Sequence, residues 1–495
     1  MRRKFAGLIL VFLLAVAGAT CEPDAALLLP SRRSADINTA GLRLVARLVQ
    51  ITDTHVVDEE SPARFAGGQV VTRSAWRPYE AYSTQIVDGI LRTTNRLHAA
   101  GRTIDFAVHT GDACDNAQSN EIEWLLGLFD GSMIDPRTGP DDRAAADKPP
   151  ASLDPHAPFQ AQGLYRNGVH GEANSIPWYA VFGNHDVYSI GVFPIIATPL
   201  GGRVAPLPLQ PRLGIVLPTV LDPTGFLTHG NVTPARPGPP PLFDLPRFVE
   251  PNARRAFFDK RAFIRAMFRT TTGPPGHGFS DPDGGASYYS VSPVAGLRLI
   301  GLDTCDPTYI APGFVYVDGS LTETQVSFLR SELNAARDRG ELVIVASHHP
   351  SASLRAIYGT ALVGSEFRAL LNEYPNVILH IAGHTHRNRV ADRGGYLEIE
   401  TSSTIDLPQE GRIIEIYRND ATGDVTIRYE TFSHIDDTLP PLGDDPLRAM
   451  RVAARDLALA DTGAAARQKL YDPTAGDPRG APSDRHGVVI LHRHH

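Results

Sequence analysis

Six apolar runs along this chain each end abruptly in polar residues. The runs are RLVQITDTH at 47–55, IDFAVHTGDACDN at 104–116, PWYAVFGNHD at 177–186, LRLIGLDT at 297–304, ELVIVASHHP at 341–350 and NVILHIAGHTH at 376–386. Short apolar runs bounded by polar residues and glycine are typical of buried β-strands. We therefore predict six strands, each followed at once by a polar loop.

Segments with helical spacing of apolar residues lie between several of these runs. Residues 79–98 and 322–336 both show this spacing, and the second begins with a Thr322/Gln325 pattern typical of a capping box. Strands that alternate with helices predict βα units and sheets that are at least partly parallel. Functional residues are then expected to gather at the carboxyl ends of the strands.

The pattern changes after the last of these runs. The segments YLEIET, GRIIEIYRN and DVTIRYETF alternate apolar and polar residues between short turns, which predicts an antiparallel meander. The interval 190–285 is rich in proline and glycine and contains one helix candidate, ARRAFFDKRAFIRAMF, which is typical of an insertion or cap. Another helix is expected at 446–460, and the polar tail that follows it and ends in LHRHH is expected to be a solvated terminus.

The N-terminus predicts export. Residues 1–20 begin with basic residues, continue with an apolar run and end in small residues, which is the pattern of a signal peptide. Cys21 leaves a lipid anchor open, although the residues before it lack the large aliphatic residue that such a site usually has. No later segment is apolar for long enough to span a membrane. We expect an exported periplasmic or extracellular protein, with a lipoprotein as the alternative.

The composition excludes several classes of protein. The 495 residues are 42% hydrophobic and carry a net charge of −8, with no run of lysine or arginine. Such a chain can bury a large core, and no nucleic-acid-binding surface is evident. Apart from Cys21, the cysteines are Cys114 and Cys305, so a disulfide framework is excluded. We expect two buried thiols, while one bridge between them stays open.

Five of the strand ends carry residues of the types that bind metals. These segments are Asp53-Thr54-His55, Gly111-Asp112, Gly183-Asn184-His185-Asp186, His348-His349-Pro350 and Gly383-His384-Thr385-His386. Such polar residues directly after a buried strand need a metal, hydrogen bonds or solvent to satisfy them. By contrast, His109 and His380 lie within the strand runs and are expected to be core histidines.

This ordered set resembles the motifs of the calcineurin-like metallophosphoesterase superfamily, which are D-x-H, G-D-x-x-D, G-N-H-D/E, H-x-P and G-H-x-H. All five motifs are complete here, and the stretches GDACDNAQSNEIEW, GHGFS and ETSSTIDLPQEGRIIEI are similar to a bacterial exported branch. The resemblance implies an α/β fold, a four-layer αββα sandwich of two mixed β-sheets flanked by helices. The chain then divides into a signal peptide at 1–20, an N-terminal linker at 21–42, a metallophosphoesterase domain at 43–432 with a 190–285 insertion, and a C-terminal extension at 433–495.

Carried over residue by residue, the resemblance also implies a dinuclear metal centre. The implied ligands are Asp53, His55 and His386 for one ion, Asn184, His348 and His384 for the other, and Asp112 as the bridge between them. Neutral histidine and asparagine keep the total charge low enough to bind an anionic ester, which a site of carboxylates alone would repel. The donors include no thiolate, so divalent or trivalent Mn, Fe, Zn and Co ions all remain open.

The motifs also suggest roles for residues beside the ligands. Because Asn184 faces the metal, His185 is left to face the substrate as a general acid, with Asp186 hydrogen-bonded to its other nitrogen. Asp115, the second aspartate of G-D-x-x-D, is expected to orient a ligand. The further candidates for supporting the ligands or contacting the substrate are Asn116, His349, Arg77, His277, Arg387 and Arg389.

The predicted function is metal-dependent hydrolysis of a small phosphoester, with a phosphodiester favoured over a phosphomonoester. Two metals alone can hold a diester monoanion, whereas a monoester dianion gains more from an arginine, and only Arg387 adjoins the motifs. If the insertion brings Arg254, Arg255 or Arg261 to the phosphate, a monoester becomes the expected substrate. The alternative is an exported protein that binds metal and phosphate without turnover.

Overall fold

A computed structural model describes residues 39–61, 77–139, 150–197, 252–283, 285–305, 317–355, 361–461 and 476–493, with three short strands between 203 and 248. The predicted signal peptide, Cys21 and most of the predicted linker lie outside these residues, as does much of the 190–285 insertion. Among the helices of this described part, none is both long and apolar enough to cross a membrane.

Two six-stranded mixed sheets dominate the described residues. In chain order their strands are β1 (Leu42–Ile51), β2 (Phe106–His109), β3 (Trp178–Ala180), β4 (Tyr289–Val294), β5 (Leu297–Gly301), β6 (Leu342–Ala346), β7 (Val377–Ala382), β8 (Arg389–Asp392), β9 (Leu397–Glu400), β10 (Glu410–Asn419), β11 (Val425–Ser433) and β12 (His486–Leu491). The spatial order is β12-β11-β10-β1-β2-β3 in the first sheet and β4-β5-β6-β7-β9-β8 in the second. Strands β1, β2 and β3 are parallel to one another, and so are β5, β6, β7 and β9.

Helices and short strands connect these elements. The helices are α1 (Ser83–Ala99), α2 (Ser119–Asp130), α3 (Lys260–Met267), α4 (Glu323–Asp338), α5 (Gly364–Asn372), α6 (Arg448–Ala460) and α7 (Pro482–Arg485). Two-residue strands pair Met133–Ile134 with Phe159–Gln160, Tyr188–Ser189 with Phe193–Pro194, Ile196–Ala197 with Arg203–Val204, and His229–Gly230 with Arg247–Phe248. The segment Asn184–Asp186, which contains residues of the predicted metal site, forms a 3-10 turn.

Alternating side chains along the strands build a sandwich. In β6, Ile344 belongs to a core cluster with residues of both sheets, whereas Val343 and Val345 pack with Leu329 of α4 and Phe367 of α5. Successive side chains of a strand point to opposite faces, so β6 faces the other sheet on one side and helices on the other. Helix α1 packs against β11, α2 and α6. The predicted four-layer α/β sandwich is confirmed.

The elements that the apolar pattern predicts are present. All six predicted strands form, as β1, β2, β3, β5, β6 and β7, and each ends before its polar motif. Helix α4 begins where the capping pattern placed it, because the Thr322 side chain accepts a hydrogen bond from the Gln325 backbone N–H (3.3 Å). The Gln325 side chain does not complete the capping box, since its Oε1 accepts from the Asp303 N–H (3.0 Å) instead.

The predicted antiparallel meander is only partly correct. Strands β10 and β11 form the expected hairpin, with Glu410 opposite Ser433. The YLEIET segment, however, forms β9 in the other sheet, parallel to β7 and antiparallel to β8. All four residues of β9 are buried. A strand that is buried on both faces belongs inside a sheet with covered faces, which explains its place between two neighbours.

The helix candidate at 253–268 is divided into two elements. Ala253–Arg255 forms a 3-10 turn, and α3 begins only at Lys260. The Asp259 side chain accepts a hydrogen bond from the Ala262 N–H (2.8 Å), so Asp259 caps a new helix instead of continuing an existing one.

The expectation of a solvated C-terminus is wrong for residues 486–491. These residues form β12, which pairs with β11 and places Leu491 opposite Val425. Leu491 is buried, so this strand contributes to the core of the first sheet. The last segment of the predicted C-terminal extension is therefore an integral part of the sandwich.

The predicted core histidines and thiols are confirmed. His380 is buried, with Nδ1 hydrogen-bonded to Glu398 (3.0 Å) and Nε2 to the Ser347 hydroxyl (2.8 Å). His109 is buried too, and its Nε2 lies 3.0 Å from the Thr54 hydroxyl. Cys114 and Cys305 are buried free thiols, so no bridge joins them.

An ion-pair cluster on the first sheet predicts a pH dependence of stability. Burial raises the pKa of Glu415, but the hydrogen bonds from Arg428 and Arg47 and the charge of Arg102 outweigh it and lower that pKa to about 2, from 4.5. A carboxyl whose pKa is depressed by folding stabilises the fold above its unfolded pKa, and this contribution is lost as pH falls through the folded pKa.

Glu415→Gln is therefore expected to destabilise the fold at neutral pH, with a difference from wild type that shrinks between about pH 4.5 and 2. Urea unfolding over this range measures it. Asp420→Asn is the control, because the Arg43–Asp420 pair is exposed (55% and 60%) and such pairs contribute little. A difference that stays constant with pH would show that packing and not charge accounts for the loss.

Candidate metal centre

The five motif segments meet at one edge of the sandwich. Each follows the carboxyl end of a strand that has parallel neighbours: β1, β2 and β3 in the first sheet, β6 and β7 in the second. Carboxyl ends of parallel strands lie at the same edge of a sheet. A hydrogen bond from the Gln50 side chain to the Ala382 carbonyl (2.9 Å) joins the two sheets close to this edge.

Backbone strain concentrates on the motif residues. Five of them have φ angles in the left-handed region, where residues other than glycine are disfavoured. They are Asp53 (49°), His55 (39°), Asp112 (53°), His384 (66°) and His386 (52°). Each such residue costs on the order of 1–2 kcal/mol. Strain of this kind typically persists where it serves a site, so the fold holds these side chains in place at a cost in stability.

The glycines of the motifs allow the loops to approach closely. A Cβ on Gly111 would lie 2.7 Å from both the Gly183 backbone nitrogen and the His348 Nδ1 atom. A Cβ on Gly183 would lie 2.1 Å from the Asp112 Oδ1 atom. Both positions therefore exclude any side chain.

The first donor cluster contains the residues implied for one metal. One donor atom from each of Asp53, His55, Asp112 and His386 lies within 4.8 Å of the others. The Nε2 atoms of His55 and His386 lie 3.1 Å apart, and the His386 Nε2 lies 3.2 Å from the Asp53 Oδ1 atom. Each of these two imidazoles has its Nδ1 beside a carboxylate, so both Nε2 lone pairs face one point. A cation at that point satisfies both.

The second donor cluster contains the residues implied for the other metal. The Asn184 Oδ1 atom lies 2.9 Å from the His348 Nε2 and 3.2 Å from the His384 Nδ1. The Asn184 Nδ2 donates to the Gly191 carbonyl (2.9 Å), which turns Oδ1 toward the histidines. The His348 Nδ1 donates to the Thr110 carbonyl (2.9 Å), which leaves its Nε2 as the donor atom.

Asp112 lies between the two clusters. Its Oδ2 atom is 3.5 Å from the His55 Nε2 and 3.2 Å from the His348 Nε2. Its Oδ1 atom accepts a hydrogen bond from the His185 backbone N–H (2.8 Å), which fixes the carboxylate plane. The Asp112 Oδ2 atom is thus held between the two clusters, which is the position of a carboxylate that two ions could share.

The charges of the cluster favour bound cations. Burial raises the pKa of Asp112, but His348 and His185 outweigh it and hold that pKa well below its usual range. Burial lowers the pKa of His348, yet Asp112 and Asp53 raise it to about 9. Burial lowers the pKa of His55 to about 4, which keeps this imidazole neutral. Positive charge is therefore favoured beside Asp112. The donor atoms are nitrogen and oxygen without thiolate, a set that fits two ions of the Mn, Fe, Zn or Co type.

His185 lies against the first cluster. Its ring contacts the His55 ring edge to face (4.4 Å between centroids), and its Nδ1 donates to the Asp115 carbonyl (2.7 Å). A Cβ on Gly191 would lie 2.2 Å from the ring, so glycine is required there. The hydrogen bond to the Asp115 carbonyl therefore helps to set the orientation of His185.

The predicted contact between Asp186 and His185 is wrong. The Asp186 Oδ1 accepts from the backbone N–H groups of Ala113 (2.9 Å) and Cys114 (3.0 Å), and its Oδ2 accepts from the Gly183 N–H (2.9 Å). The 3-10 turn Asn184–Asp186 directs this carboxylate back toward its own loop. Asp186 thus fastens the loop of Asp112 to the loop of Asn184.

Asp115 and Arg77 lie behind the histidines. The Asp115 Oδ1 accepts from the His55 Nδ1 (2.8 Å), as expected of a residue that orients a ligand. Arg77 is buried, and it donates from Nη1 to Asp115 (3.2 Å) and from Nε to Asp406 (2.7 Å). Arg77 therefore contacts two carboxylates, which makes it a supporting residue and not the substrate contact that we also considered.

Sequence reasoning missed Asp406. Its Oδ2 accepts from the His386 Nδ1 (2.6 Å), and its Oδ1 accepts from Arg77 and from the Tyr79 hydroxyl (2.7 Å). A signal was present, because Asp406 follows β9, which is one more parallel strand ending at the same edge. The alternating pattern of YLEIET predicts a meander strand instead, and such a strand would not end at this edge.

The other supporting candidates have different surroundings. His349 is buried and bonded to the Thr304 hydroxyl (2.8 Å) and the Val317 carbonyl (3.0 Å), while its ring lies 4.2 Å from that of His384. Asn116 is hydrogen-bonded to Glu121 (2.9 and 3.0 Å). His349 thus adjoins the donors, whereas Asn116 organises the loop before α2.

The structure does not place His277 as a substrate contact. His277 is buried, its ring stacks on that of Trp178 (3.5 Å between centroids) and its Nδ1 donates to the Trp178 carbonyl (3.0 Å). Arg387 and Arg389 lie 4.0 and 3.5 Å from the Glu400 carboxylate. His277 is therefore a core residue, and both arginines adjoin a carboxylate.

Comparison with protein families gives one match. The family model described as Calcineurin-like phosphoesterase matches residues 46–388, a range that includes all five motifs. No curated protein sequence matches the chain with significance.

Solved structures give more distant similarities. A dimetal phosphatase from Danio rerio is 14% identical with a TM-score of 0.38, and the alignment covers 80% of this chain and 98% of that one. The sulfate thiohydrolase SoxB of Thermus thermophilus, in complex with glycerol, is 10% identical (TM-score 0.34; 87% of this chain, 61% of that one). GAP50, the anchor in the inner membrane complex of Plasmodium, is 11% identical (TM-score 0.35; 84% and 95%). The family assignment does not rest on these similarities.

Proposed function

This chain belongs to the calcineurin-like phosphoesterase family, and we propose that it is an enzyme that hydrolyses small phosphoesters at a dinuclear metal centre. The proposed ligands are Asp53, His55 and His386 for one ion, Asn184, His348 and His384 for the other, and Asp112 for both. Export of this enzyme is part of the proposal and rests on the N-terminal sequence pattern alone.

The observation that carries the proposal is the position of one carboxylate oxygen. The Asp112 Oδ2 lies 3.5 and 3.2 Å from one nitrogen donor of each cluster. Two cations close together repel each other, so a shared anion between them is needed. A cluster of buried histidines that served only packing would have no reason to place a strained aspartate at this point.

Ions bound here would polarise the phosphoryl oxygens and increase the acidity of an attacking water. The chain itself supplies orientation. The Nδ1 atoms of His55, His386 and His348 are tied to hydrogen-bond acceptors, so each of these rings presents Nε2 inward. Rigidly held donors need no rearrangement during reaction, which is how an enzyme lowers the cost of stabilising new charge.

His185 is proposed to protonate the departing alkoxide. Its Nδ1–H is held by the Asp115 carbonyl, so the proton that it transfers is on Nε2. The Asp115 carboxylate lies 3.7 Å from the same Nδ1 atom. A positioned general acid of this kind typically contributes about 10²–10⁴-fold to the rate.

The surroundings of the arginines favour a phosphodiester over a monoester. Arg255, which we considered as a phosphate contact from the insertion, is buried against Asp58 (3.0 Å), and Arg254 pairs with Glu123 (3.6 Å). Arg77 is enclosed by two carboxylates. Arginines tied to carboxylates are poorly placed to clamp the dianion of a monoester. Two metals alone suffice for a diester monoanion.

A comparison of two chromogenic esters tests this proposal. With Mn²⁺ added, bis(4-nitrophenyl) phosphate is expected to give a higher kcat/KM than 4-nitrophenyl phosphate, and chelation is expected to abolish both activities. A preference for the monoester of about tenfold or more, roughly 1.4 kcal/mol in transition-state stabilisation, would overturn the diester assignment. Full activity in a rigorously metal-free sample would overturn the proposed function, and bound metal without turnover of any ester would favour the binding-protein alternative.

A further inference from the structure

Two carboxylates and one arginine form a continuous hydrogen-bonded chain behind one metal cluster. His55 donates to Asp115 (2.8 Å), Arg77 donates to both Asp115 (3.2 Å) and Asp406 (2.7 Å), and His386 donates to Asp406 (2.6 Å). We name Asp115, Arg77 and Asp406 the rear triad. Its three side chains are at most about one quarter exposed, and those of Arg77 and Asp115 are almost fully buried.

The rear triad contacts only one of the two donor clusters through its side chains. His55 and His386 both belong to the cluster of Asp53. Two donors of the other cluster have backbone partners instead, since His348 is held by the Thr110 carbonyl and Asn184 by the Gly191 carbonyl. The supporting contacts of the two clusters therefore differ: charged side chains hold His55 and His386, whereas neutral carbonyls hold His348 and Asn184.

We propose that Arg77 and Asp406 are positioning residues that hold His55 and His386 in the orientation and tautomer needed to bind one of the two metals. This inference rests on the proposed function, because it concerns the same ions. In this inference, Arg77 has a role of its own. Its planar fork reaches both carboxylates at once and fixes their spacing, and hence the spacing of the two imidazoles.

The hydrogen bonds of Asp406 show why its charge matters. One oxygen accepts from Arg77 and from the Tyr79 hydroxyl, and the other accepts from His386. An asparagine offers one oxygen and one amide N–H₂ group, so it can satisfy only one of these sides. If the amide faces His386, the Nδ1 must accept, and the ring proton moves to Nε2, which then cannot bind a metal. If the amide faces Arg77, its N–H₂ group lies against the N–H of Arg77 and the O–H of Tyr79, and no hydrogen bond can form between these donors.

The chain contains a matched control for this change. In the second sheet, Glu398 accepts from the His380 Nδ1 (3.0 Å) with one oxygen and from Arg393 (2.7 Å) with the other. This set likewise joins a carboxylate to a histidine and an arginine, and Glu398 and His380 are buried, but His380 is not a metal-ligand candidate. Glu398→Gln therefore removes an equivalent buried charge without acting on a ligand.

The experiment is a Co²⁺ titration of the metal-free full chain, followed by visible absorbance and calorimetry. Asp406→Asn is expected to weaken one of the two binding events by about 10–100-fold, the usual effect of a residue that supports a ligand, and to leave the other unchanged. Glu398→Gln is expected to leave both events unchanged. Arg77→Lys, which keeps the charge but loses the fork, is expected to weaken the same event as Asp406→Asn, and Asp406→Glu to restore it in part.

The other outcomes contradict the inference in different ways. If Asp406→Asn binds both ions like wild type, or if Asp406→Asn and Glu398→Gln each weaken both events to the same extent, the rear triad has only a structural role. Thermal unfolding of the metal-free variants separates loss of fold from loss of metal affinity. If Asp406→Asn does not fold, Arg77→Lys takes its place as the variant that tests the inference. If wild type itself binds no Co²⁺, the proposed function fails together with this inference. If wild type binds Co²⁺ and only the variants behave differently from expectation, the inference fails alone.

Discussion

Replacing Asp112 with asparagine is expected to abolish turnover and to remove both metals while the fold persists. The substitution keeps the shape of the side chain, so Oδ1 can still accept from the His185 N–H. The amide nitrogen then occupies the place of Oδ2, between the nearest nitrogens of His55 and His348. An amide nitrogen is not a metal ligand, and the negative charge that offsets two cations is lost.

The expected size of this effect follows from the position of Asp112. Residues that only support a ligand typically cost about 10–100-fold in metal affinity or activity when they are changed. Asp112 adjoins both clusters, so its replacement is expected to lower kcat by more than about 100-fold, beyond that range. Elemental analysis of the purified variant and steady-state kinetics with added Mn²⁺ measure the two effects.

Asp88→Asn is the matched control for Asp112→Asn. Asp88 is fully buried and bonded to Arg92 (2.6 Å) and the Gln162 N–H (2.7 Å). Its replacement is expected to lower the free energy of unfolding but to leave metal content and kcat near wild type. If Asp112→Asn keeps two metals and substantial turnover, the carboxylate does not bridge the ions, and the dinuclear assignment fails at its central residue.

The proposed metal ligands were accessible to sequence reasoning because each follows its strand within a few residues. A short loop after a buried strand cannot go far, so the strand end determines where its polar residues lie. His384 and His386 illustrate this, since both come directly after β7 and both join the clusters. The fold class was accessible for the same reason, because alternating strands and helices restrict the possible layers.

The residues behind the ligands were not accessible in this way. Arg77 and Asp406 are 329 positions apart in the chain, and their contact exists only because the segment before α1 meets the segment after β9 in the folded molecule. The assignment of Asp186 failed for a more local reason. Which way a side chain points from a 3-10 turn depends on backbone angles that a four-letter motif does not specify. The structure was therefore needed to identify the supporting contacts, whereas the sequence was enough to identify the proposed ligands.

Replacing His185 with asparagine is expected to separate proton transfer from metal binding. The His185 side chain is not in either proposed ligand set, and its ring is held by the Asp115 carbonyl and enclosed by Gly191. The variant is therefore expected to retain two metals. Its backbone N–H still donates to Asp112, because the main chain is unchanged, so the bridging carboxylate stays in place.

The loss of activity in this variant is expected to depend on the leaving group. A nitrophenolate is a weak base and departs without a proton, whereas an alkoxide requires one in the transition state. His185→Asn should lose about 10²–10⁴-fold in kcat/KM on alkyl phosphodiesters, the usual contribution of a general acid, and far less on bis(4-nitrophenyl) phosphate. A series of diesters with leaving groups between these extremes should therefore show a steeper dependence of rate on leaving-group basicity than wild type does.

The comparison of the two classes of ester also tests the role of His185, because departure of a nitrophenolate does not use the proton. Equal losses on both classes of ester, with both metals retained, would mean that His185 positions the phosphate and does not transfer a proton.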